Sequence, residues 1–250
     1  VYWPAFLKSA SLPVPKKVFS HGFLLHRGEK MSKSLGNVVD PLELAERFGV
    51  DQLRYFLMRE IAFGQDGSYS ADAIVTRCNA ELANSFGNLA QRVLSMIYKN
   101  LDGVLSSCPA NPADDGLEKT VRLNIGSMRT SFDQLNFTAG LDSWMLAVFA
   151  CNQFVDEQAP WALKKTDPER MAAVLMTLFR CVRDLAIAVR PVVPTSVDRL
   201  LDQMGIADDA REFATLENAD WFLELAASGF RLSQPEGVFP RLEMPADEDS

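Results

Sequence analysis

Histidine and cysteine are scarce in this 250-residue chain, which has two histidines, His21 and His26, and four cysteines, Cys78, Cys108, Cys151 and Cys181. The cysteines lie about thirty or more residues apart, no CxxC occurs, and neither histidine is near any of them, so a zinc site within the chain is not expected. The cysteines fall mostly in helical patterns, which predicts buried free thiols and suits a reducing compartment. Long apolar runs are missing too. The longest, residues 172–179, is far short of a membrane span, which needs about 18 or more. The opening VYWPAFLK lacks a basic segment followed by an apolar one and is not a secretory signal. It also opens without Met in mid-apolar sequence, so a start inside a longer protein is expected. Together these absences predict a cytoplasmic protein with no membrane association.

Basic charge is in deficit as well: 25 Lys and Arg against 33 Asp and Glu leave a net charge of −8, which argues against a nucleic-acid partner at first sight. The deficit is local. Residues 202–250 hold 3 basic and 12 acidic residues, whereas residues 1–70 hold 9 and 7 and residues 71–201 hold 13 and 14. The first two hundred residues are close to neutral and free to carry basic faces.

What is present divides the chain in three. Residues 1–40 are punctuated by Pro and Gly, and the apolar segment 17–25 (KVFSHGFLL) predicts a short buried strand before a polar loop over 30–37. Asp40-Pro41 fits an N-cap and first helical residue, with a helix over 41–48 stopped by Gly49 and another over 51–62 whose face carries Leu53, Phe56 and Leu57. Beyond the loop FGQDGSYS the pattern turns helical. Ser70 caps a helix over 71–101 with Leu82, Phe86, Leu89, Val93 and Ile97 at three- and four-residue steps. Further helices are predicted over 117–135, 138–158 with a turn at Pro160, 168 to about 191, and 195–204. The acidic remainder is predicted irregular, with Trp221, Phe222 and Phe239 as packing anchors. Four amphipathic helices with short connections make a bundle, and residues 1–62 look like the last part of an α/β unit.

The sharpest local signal is Lys30-Met31-Ser32-Lys33-Ser34, inside GEKMSKSLGNVVDP. Two lysines three residues apart in a loop of small residues can bring two ammonium groups to one polyphosphate, with hydroxyls and loop N–H groups as further donors. Taken alone, such a loop is most often a solvated Lys/Ser surface. A chance match to five fixed residues in a chain of this length is on the order of 10⁻⁴. The pentapeptide is the signature of class I aminoacyl-tRNA synthetases, and the run HGF-x6-KMSKSLGNVVDP with FGVDQLRYFL resembles the members that use Leu, Ile, Val, Met and Cys.

Two later segments resemble methionyl-tRNA synthetases in particular. Residues 84–92 (NSFGNLAQR) match their NxxxNLAxR helix, and residues 154–161 (FVDEQAPW) match a helix end closed by PW. Asn88 and Arg92 are four apart and share a helix face. A helix surface bearing polar residues is the plain alternative for that pair, and core packing is the alternative for a Trp that follows a Pro. The late GVFPRLE, residues 237–243, resembles the segment that closes the family's core.

The resemblance implies the following expectations. The fold is mainly α: the end of a Rossmann-type catalytic domain with a stem-contact unit (1–70), a helical-bundle anticodon-binding domain (71–201), and a short helix with an irregular acidic segment (202–250). Lys30 and Lys33 are the catalytic lysines. They bind ATP together with Ser32, Ser34, His21, Gly22 and Leu24, although His21 alone fits an interior histidine equally well. Asn88, Arg92, Pro160 and Trp161 read a CAU anticodon, with Trp161 stacked on its first base. Tyr2 and Trp3 line or support a methionine pocket, or simply pack in the core. The substrates and partners are ATP with Mg2+, L-methionine and tRNA(Met). Zinc, where the family has it, sits in an upstream insertion, and no appended dimerisation domain is expected, hence a monomer. The HIGH-type signature is absent, so the chain alone is expected to be inactive. Rivals are a leucyl, isoleucyl or valyl enzyme, a non-catalytic tRNA-binding module, and a helical interaction domain with a chance lysine loop.

Overall fold

The computed structural model describes residues 1–26, 28–32, 34, 37–62, 64–106, 114–218 and 220–244. The molecule is mainly α, with one small sheet near its start. Helix α1 (Tyr2–Ser9) precedes strands β1 (Leu24–His26) and β2 (Glu29–Lys30), an antiparallel pair with Leu25 opposite Lys30. Helices α2 (Pro41–Phe48) and α3 (Val50–Glu60) follow, and β3 (Gly67–Tyr69) returns parallel to β1. The sheet order is β2-β1-β3. A parallel pair joined through helices is the expected remnant of α/β architecture.

The strand expected over 17–25 is shorter than predicted and is not buried. Val18, Phe19 and Phe23 are exposed, and no described residue before Leu44 is buried. The apolar run lacks a second layer on its outer side. Helix α1 was not anticipated, and it buries nothing.

The two helix starts in this part follow local chemistry. Asp40 Oδ1 accepts the Leu42 N–H at 2.8 Å with Pro41 at the first helical position. Gly49 ends α2 at φ 94°, a conformation that disfavours a side chain. Asp51, expected to start the next helix, caps a different one. It is buried, and it accepts the N–H groups of Ser196 at 2.6 Å and Thr195 at 3.3 Å. These open α10 (Pro194–Gln203). One turn later, Arg54 donates to the carbonyls of Pro191 at 2.7 Å and Val192 at 3.0 Å, just beyond α9 (Pro168–Val189). The anion thus meets the positive end of one helix and the cation the carbonyls that follow another. The DQLR segment is a latch onto the α9–α10 corner.

The predicted helix over 71–101 is one continuous rod with an altered middle. α4 (Ala71–Cys78), capped by Ser70 Oγ at Ala73 N–H, passes into a π-helical stretch (Asn79–Gly87) and then α5 (Asn88–Asn100). In the wider turn Ser85 Oγ reaches back five residues to the Ala80 carbonyl at 2.8 Å. The predicted apolar stripe, Leu82, Phe86, Leu89, Val93 and Ile97, is fully inside. Helices α6 (Asp115–Asp133), α7 (Phe137–Gln158) and α9 complete the bundle. α6 packs mainly on α7, and α9 on α5, α6 and α7. Trp144 sits at its centre, edge-on to Phe86, with its indole N–H on the Leu185 carbonyl.

Pro160 does not sit in a free turn. Ala159 adopts the left-handed conformation that ends α7, and Pro160 is the first residue of α8 (Pro160–Thr166). The end of the chain is more ordered than expected: α11 (Trp221–Ala227) follows two 3-10 turns. Phe222 and Phe239 are buried as predicted anchors, with Phe239 against Phe86. The side-chain amide of Asn79 brackets Leu242 with two hydrogen bonds, and that of Gln203 brackets Glu236. Cys78, Cys151 and Cys181 are buried free thiols, while Cys108 lies outside the described residues. No described helix is long and apolar enough to cross a membrane.

Candidate functional site: a lysine loop and a helix-end aromatic cluster

The lysine loop leaves β2 at its last residue. Lys30 is exposed, and its ammonium stands 5.0 Å from the centroid of the Phe23 ring. Lys33 lies outside the described residues. The loop is stapled at its base by Asn37, whose Oδ1 accepts the Ser32 N–H at 2.8 Å and whose amide nitrogen donates to the Lys30 carbonyl at 3.3 Å. Ser32 and Ser34 share a hydroxyl contact of 3.1 Å. The structure therefore brings Lys30, Ser32 and Ser34 into one polar turn. The sequence marks Asn37 as a polar loop residue three positions after the pentapeptide, in SLGN, without giving it a role.

The strand side of this site is set by backbone proximity. Gly22 faces the Gln65 carbonyl so closely that a Cβ there would collide with it. Phe23 N–H donates to Asp66 Oδ1 at 2.6 Å, and the Gly67 N–H donates to the Phe23 carbonyl at 2.9 Å. Leu24 begins β1 and is partly open. His21 is exposed in this chain, with Nδ1 at 2.9 Å from the Gly22 carbonyl. His26, by contrast, stacks on Tyr69. Tyr2 and Trp3 lie on an exposed face of α1, so core packing does not describe them in this chain.

The second locus forms where α5 meets the α7–α8 corner. Arg92 Nη2 pairs with Asp156 Oδ1 at 3.0 Å, and the Arg92 guanidinium carbon stands 5.7 Å from the centroid of the Trp161 ring. Trp161 is 52% exposed. The left-handed turn at Ala159 and the buried Pro160 fix where α8 starts, and the indole is its second residue. Asn88 is exposed one turn before Arg92 on the same helix, and its side chain makes no hydrogen bond among the described residues. The three polar and aromatic side chains named from separate motifs thus sit on one surface. A planar cation beside an open indole, with a nearby amide, offers a stacking face and directional donors to unstacked bases. Asp156 escaped sequence reasoning because its partner is 64 residues away, and no local spacing links them. An exposed pair of this kind contributes little to stability, about 0–1 kcal/mol. Its effect is to hold the guanidinium beside the ring.

A partly buried charge cluster joins α3 to the rod that carries the second locus. Glu81, in the π-helical stretch, accepts from Tyr55 Oη at 2.6 Å, Arg59 Nε at 3.0 Å and Arg77 Nη1 at 2.9 Å. Arg59 also pairs with Asp142 on α7 at 2.7 Å, and Arg77 with Glu60 at 2.7 Å. Burial pushes the Glu81 carboxyl up, but hydrogen bonds from Tyr55 and the arginines outweigh it and hold the carboxyl below its ordinary value. Burial, then the Glu81 charge, pushes the Tyr55 phenol well up. The cluster ties α3 to the helix that carries Asn88 and Arg92.

A cavity of about 220 Å³ between α6, α9 and α11 is lined by Glu118, Arg122, Arg180 and Asp184 among others and includes none of the motif residues. Among the described residues no group of three His, Cys, Asp or Glu is placed to hold a metal ion.

Comparison with known proteins gives this geometry a context. Residues 1–94 match the family described as tRNA synthetases class I (M), and residues 106–249 match the anticodon binding domain of methionyl tRNA ligase. The chain is 49% identical to methionine–tRNA ligase of Rhizobium meliloti over 98% of its own length and 47% of that protein's, and 49% identical to that of Brucella suis over 100% and 48%. It resembles the crystal structure of Mycobacterium tuberculosis methionyl-tRNA synthetase in the free state, with TM-score 0.85, 42% identity, and coverage of 98% of this chain and 47% of that one. The same enzyme bound by methionyl-adenylate gives TM-score 0.86 at 44% identity, covering 96% and 47%. The chain therefore spans about half the length of the relatives it matches. The rival leucyl, isoleucyl and valyl assignments fall to the anticodon-domain match, which covers more than half of the chain. On that match, and on the agreement with relatives across its whole length, the chain belongs to the methionyl-tRNA ligase family.

Proposed function

We propose that this chain supplies the lysine loop and the anticodon-binding part of a methionine–tRNA ligase, which activates methionine with ATP and transfers it to tRNA(Met). The observation that carries the reading is the Arg92–Trp161 contact, flanked by Asn88. Trp161 offers its face to the first base of a CAU anticodon, while Asn88 and Arg92 supply donors to base edges. Pro160 sets the position of the indole. In this reading residues 1–70 end the catalytic domain and join it to the bundle, residues 71–201 form the bundle, and residues 202–250 close it.

At the lysine loop, the Lys30 and Lys33 ammonium groups neutralise charge on the triphosphate of ATP, bound with Mg2+, as a methionine carboxylate oxygen bonds to the α-phosphorus and pyrophosphate leaves. Ser32 and Ser34 add donors, and Asn37 holds the turn that presents them. His21, Gly22 and Leu24 lie along the nucleotide, and Tyr2 and Trp3 belong near the methionine side chain. The exposed apolar residues before Leu44 fit this assignment, since they need a further layer to cover them. The working protein is cytoplasmic and monomeric.

Two measurements test the reading. Trp161→Ala and Arg92→Ala should each weaken binding of a CAU-bearing tRNA, by about 1–3 kcal/mol for the lost stacking face, without lowering Tm appreciably. Affinities unchanged in both variants would remove the anticodon assignment. The chain alone should show no methionine-dependent ATP–pyrophosphate exchange, because its sequence carries no HIGH-type signature and, among the described residues, the sheet beside the lysine loop has three strands. Near-normal exchange by the isolated chain would contradict that.

A further inference from the structure

On α7, residues 142, 149 and 156 are spaced by seven and lie on one face of the helix. Both ends of this line are occupied by ion pairs to other helices. Asp142 binds Arg59 of α3 at 2.7 Å, and Asp156 binds Arg92 of α5 at 3.0 Å. Between them Phe149 is 53% exposed, and Leu146, one turn earlier on the edge of the same face, is 60% exposed. By contrast, Trp144 and Phe86 are fully buried, and Phe154 nearly so, while Trp161 and the edge of Tyr98 are the other exposed aromatics of the described bundle helices.

We propose that Phe149 is a second aromatic platform for the tRNA, stacking on a base of the anticodon loop other than the one taken by Trp161. This deepens the anticodon reading and rests on it. Three observations favour tRNA as the occupant. First, the patch is continuous with the Arg92–Asp156–Trp161 cluster along one helix face. Second, α7 lies within the segment that matches the anticodon binding domain of the family. Third, the spacing suits the ligand. Seven residues of helix advance about 10 Å, and three stacked nucleotides advance about the same. The rise is that from Phe149 to Asp156, the partner of Arg92, so a loop held at the Arg92 cluster has further bases within reach of Phe149. A phenyl ring has no hydrogen-bonding group, so its contribution is stacking that tolerates any base. It adds affinity and orientation, while Asn88, Arg92 and Trp161 carry the selectivity.

The test uses the chain as it stands and an anticodon stem-loop RNA carrying CAU. The loop bases are replaced one at a time by 2-aminopurine, whose fluorescence falls when it stacks. Phe149→Ala should weaken binding about tenfold or more at fixed salt, and Phe149→Tyr should stay within about twofold of the parent. One loop position should be quenched by the parent but not by Phe149→Ala, and it should differ from the position released by Trp161→Ala. Far-UV circular dichroism checks that the variants fold, and the Tyr variant preserves a folded comparison in any case. Parent-like affinity of Phe149→Ala beside weakened Trp161→Ala would overturn this proposal and leave the anticodon reading standing. Parent-like affinity of both would overturn both. Self-association of the parent that Phe149→Ala abolishes, with RNA affinity unchanged, would assign the patch to a second copy of the chain instead.

Discussion

Trp161 shows how much a single residue's environment depends on its backbone. Its indole is open because Ala159 turns left-handed and Pro160 starts a new helix, so the ring follows a sharp corner instead of continuing α7 into the core. The PW pair was visible in the sequence, as was the i, i+4 relation of Asn88 and Arg92. The contact of Arg92 with both Asp156 and Trp161 was not, because it joins helices more than sixty residues apart in sequence. The cysteines make the converse case, in which composition and pattern sufficed. Burial, with a smaller push from Glu81, raises the Cys78 thiol to about 12, and Cys181, beside Cys151, is also raised well above its ordinary value. Neither ionises near neutral pH. A thiol reagent at pH 8 should leave Cys78, Cys151 and Cys181 unmodified in the native chain and label all three after denaturation, as read by peptide mapping. Rapid native labelling of any of them would contradict their placement in the core.

At the scale of elements, helix limits marked by Pro, Gly and capping residues were legible: Asp40-Pro41, Gly49, Ser70 and Asp167-Pro168 each act where the pattern places them. Three features were not. The π-helical stretch Asn79–Gly87 keeps the same apolar stripe as an α-helix would, so periodicity does not reveal it. Helix α11 is short and begins at the packing anchors themselves, and its polar surroundings hid it. The apolar segment 17–25 has the composition of a buried strand, but burial depends on a covering layer that pattern alone does not supply. The Glu81 cluster links α3, the π-helical stretch and α7 and carries a pH signature. Its carboxyl is held below the ordinary value of 4.5, so the ionised form stabilises the fold. That contribution is fully present above about pH 4.5 and is lost as pH falls through the lowered value. Glu81→Gln should reduce stability at pH 7 by about 1.5–3 kcal/mol and flatten the acid limb of a urea-denaturation series between pH 3 and 7. Parallel acid limbs in parent and variant would show that the cluster does not carry the effect.

For the whole molecule, charge distribution decides what the net −8 means. The net acidity belongs to the last fifth of the chain, where Arg211 already pairs with Asp202. The bundle keeps Arg92 and the exposed Lys164 and Lys165 at the corner that faces the proposed partner. The mainly helical class and the α/β remnant followed from pattern. The latch of Asp51 and Arg54 on the α9–α10 corner did not, because it joins residues well over a hundred positions apart. It makes the end of the α/β part and the bundle one packed body, with the hydrophobic core running from Leu44 to Phe239. On the proposed reading, the anticodon would meet one packed surface. The most direct test is the ratio of its affinities for a tRNA bearing CAU and for the same tRNA altered at the first anticodon base, at one salt concentration, in the parent and in Trp161→Ala. The account predicts a marked preference for CAU in the parent that collapses toward unity in the variant. Equal affinities in the parent, or a preference that survives loss of the indole, would contradict it.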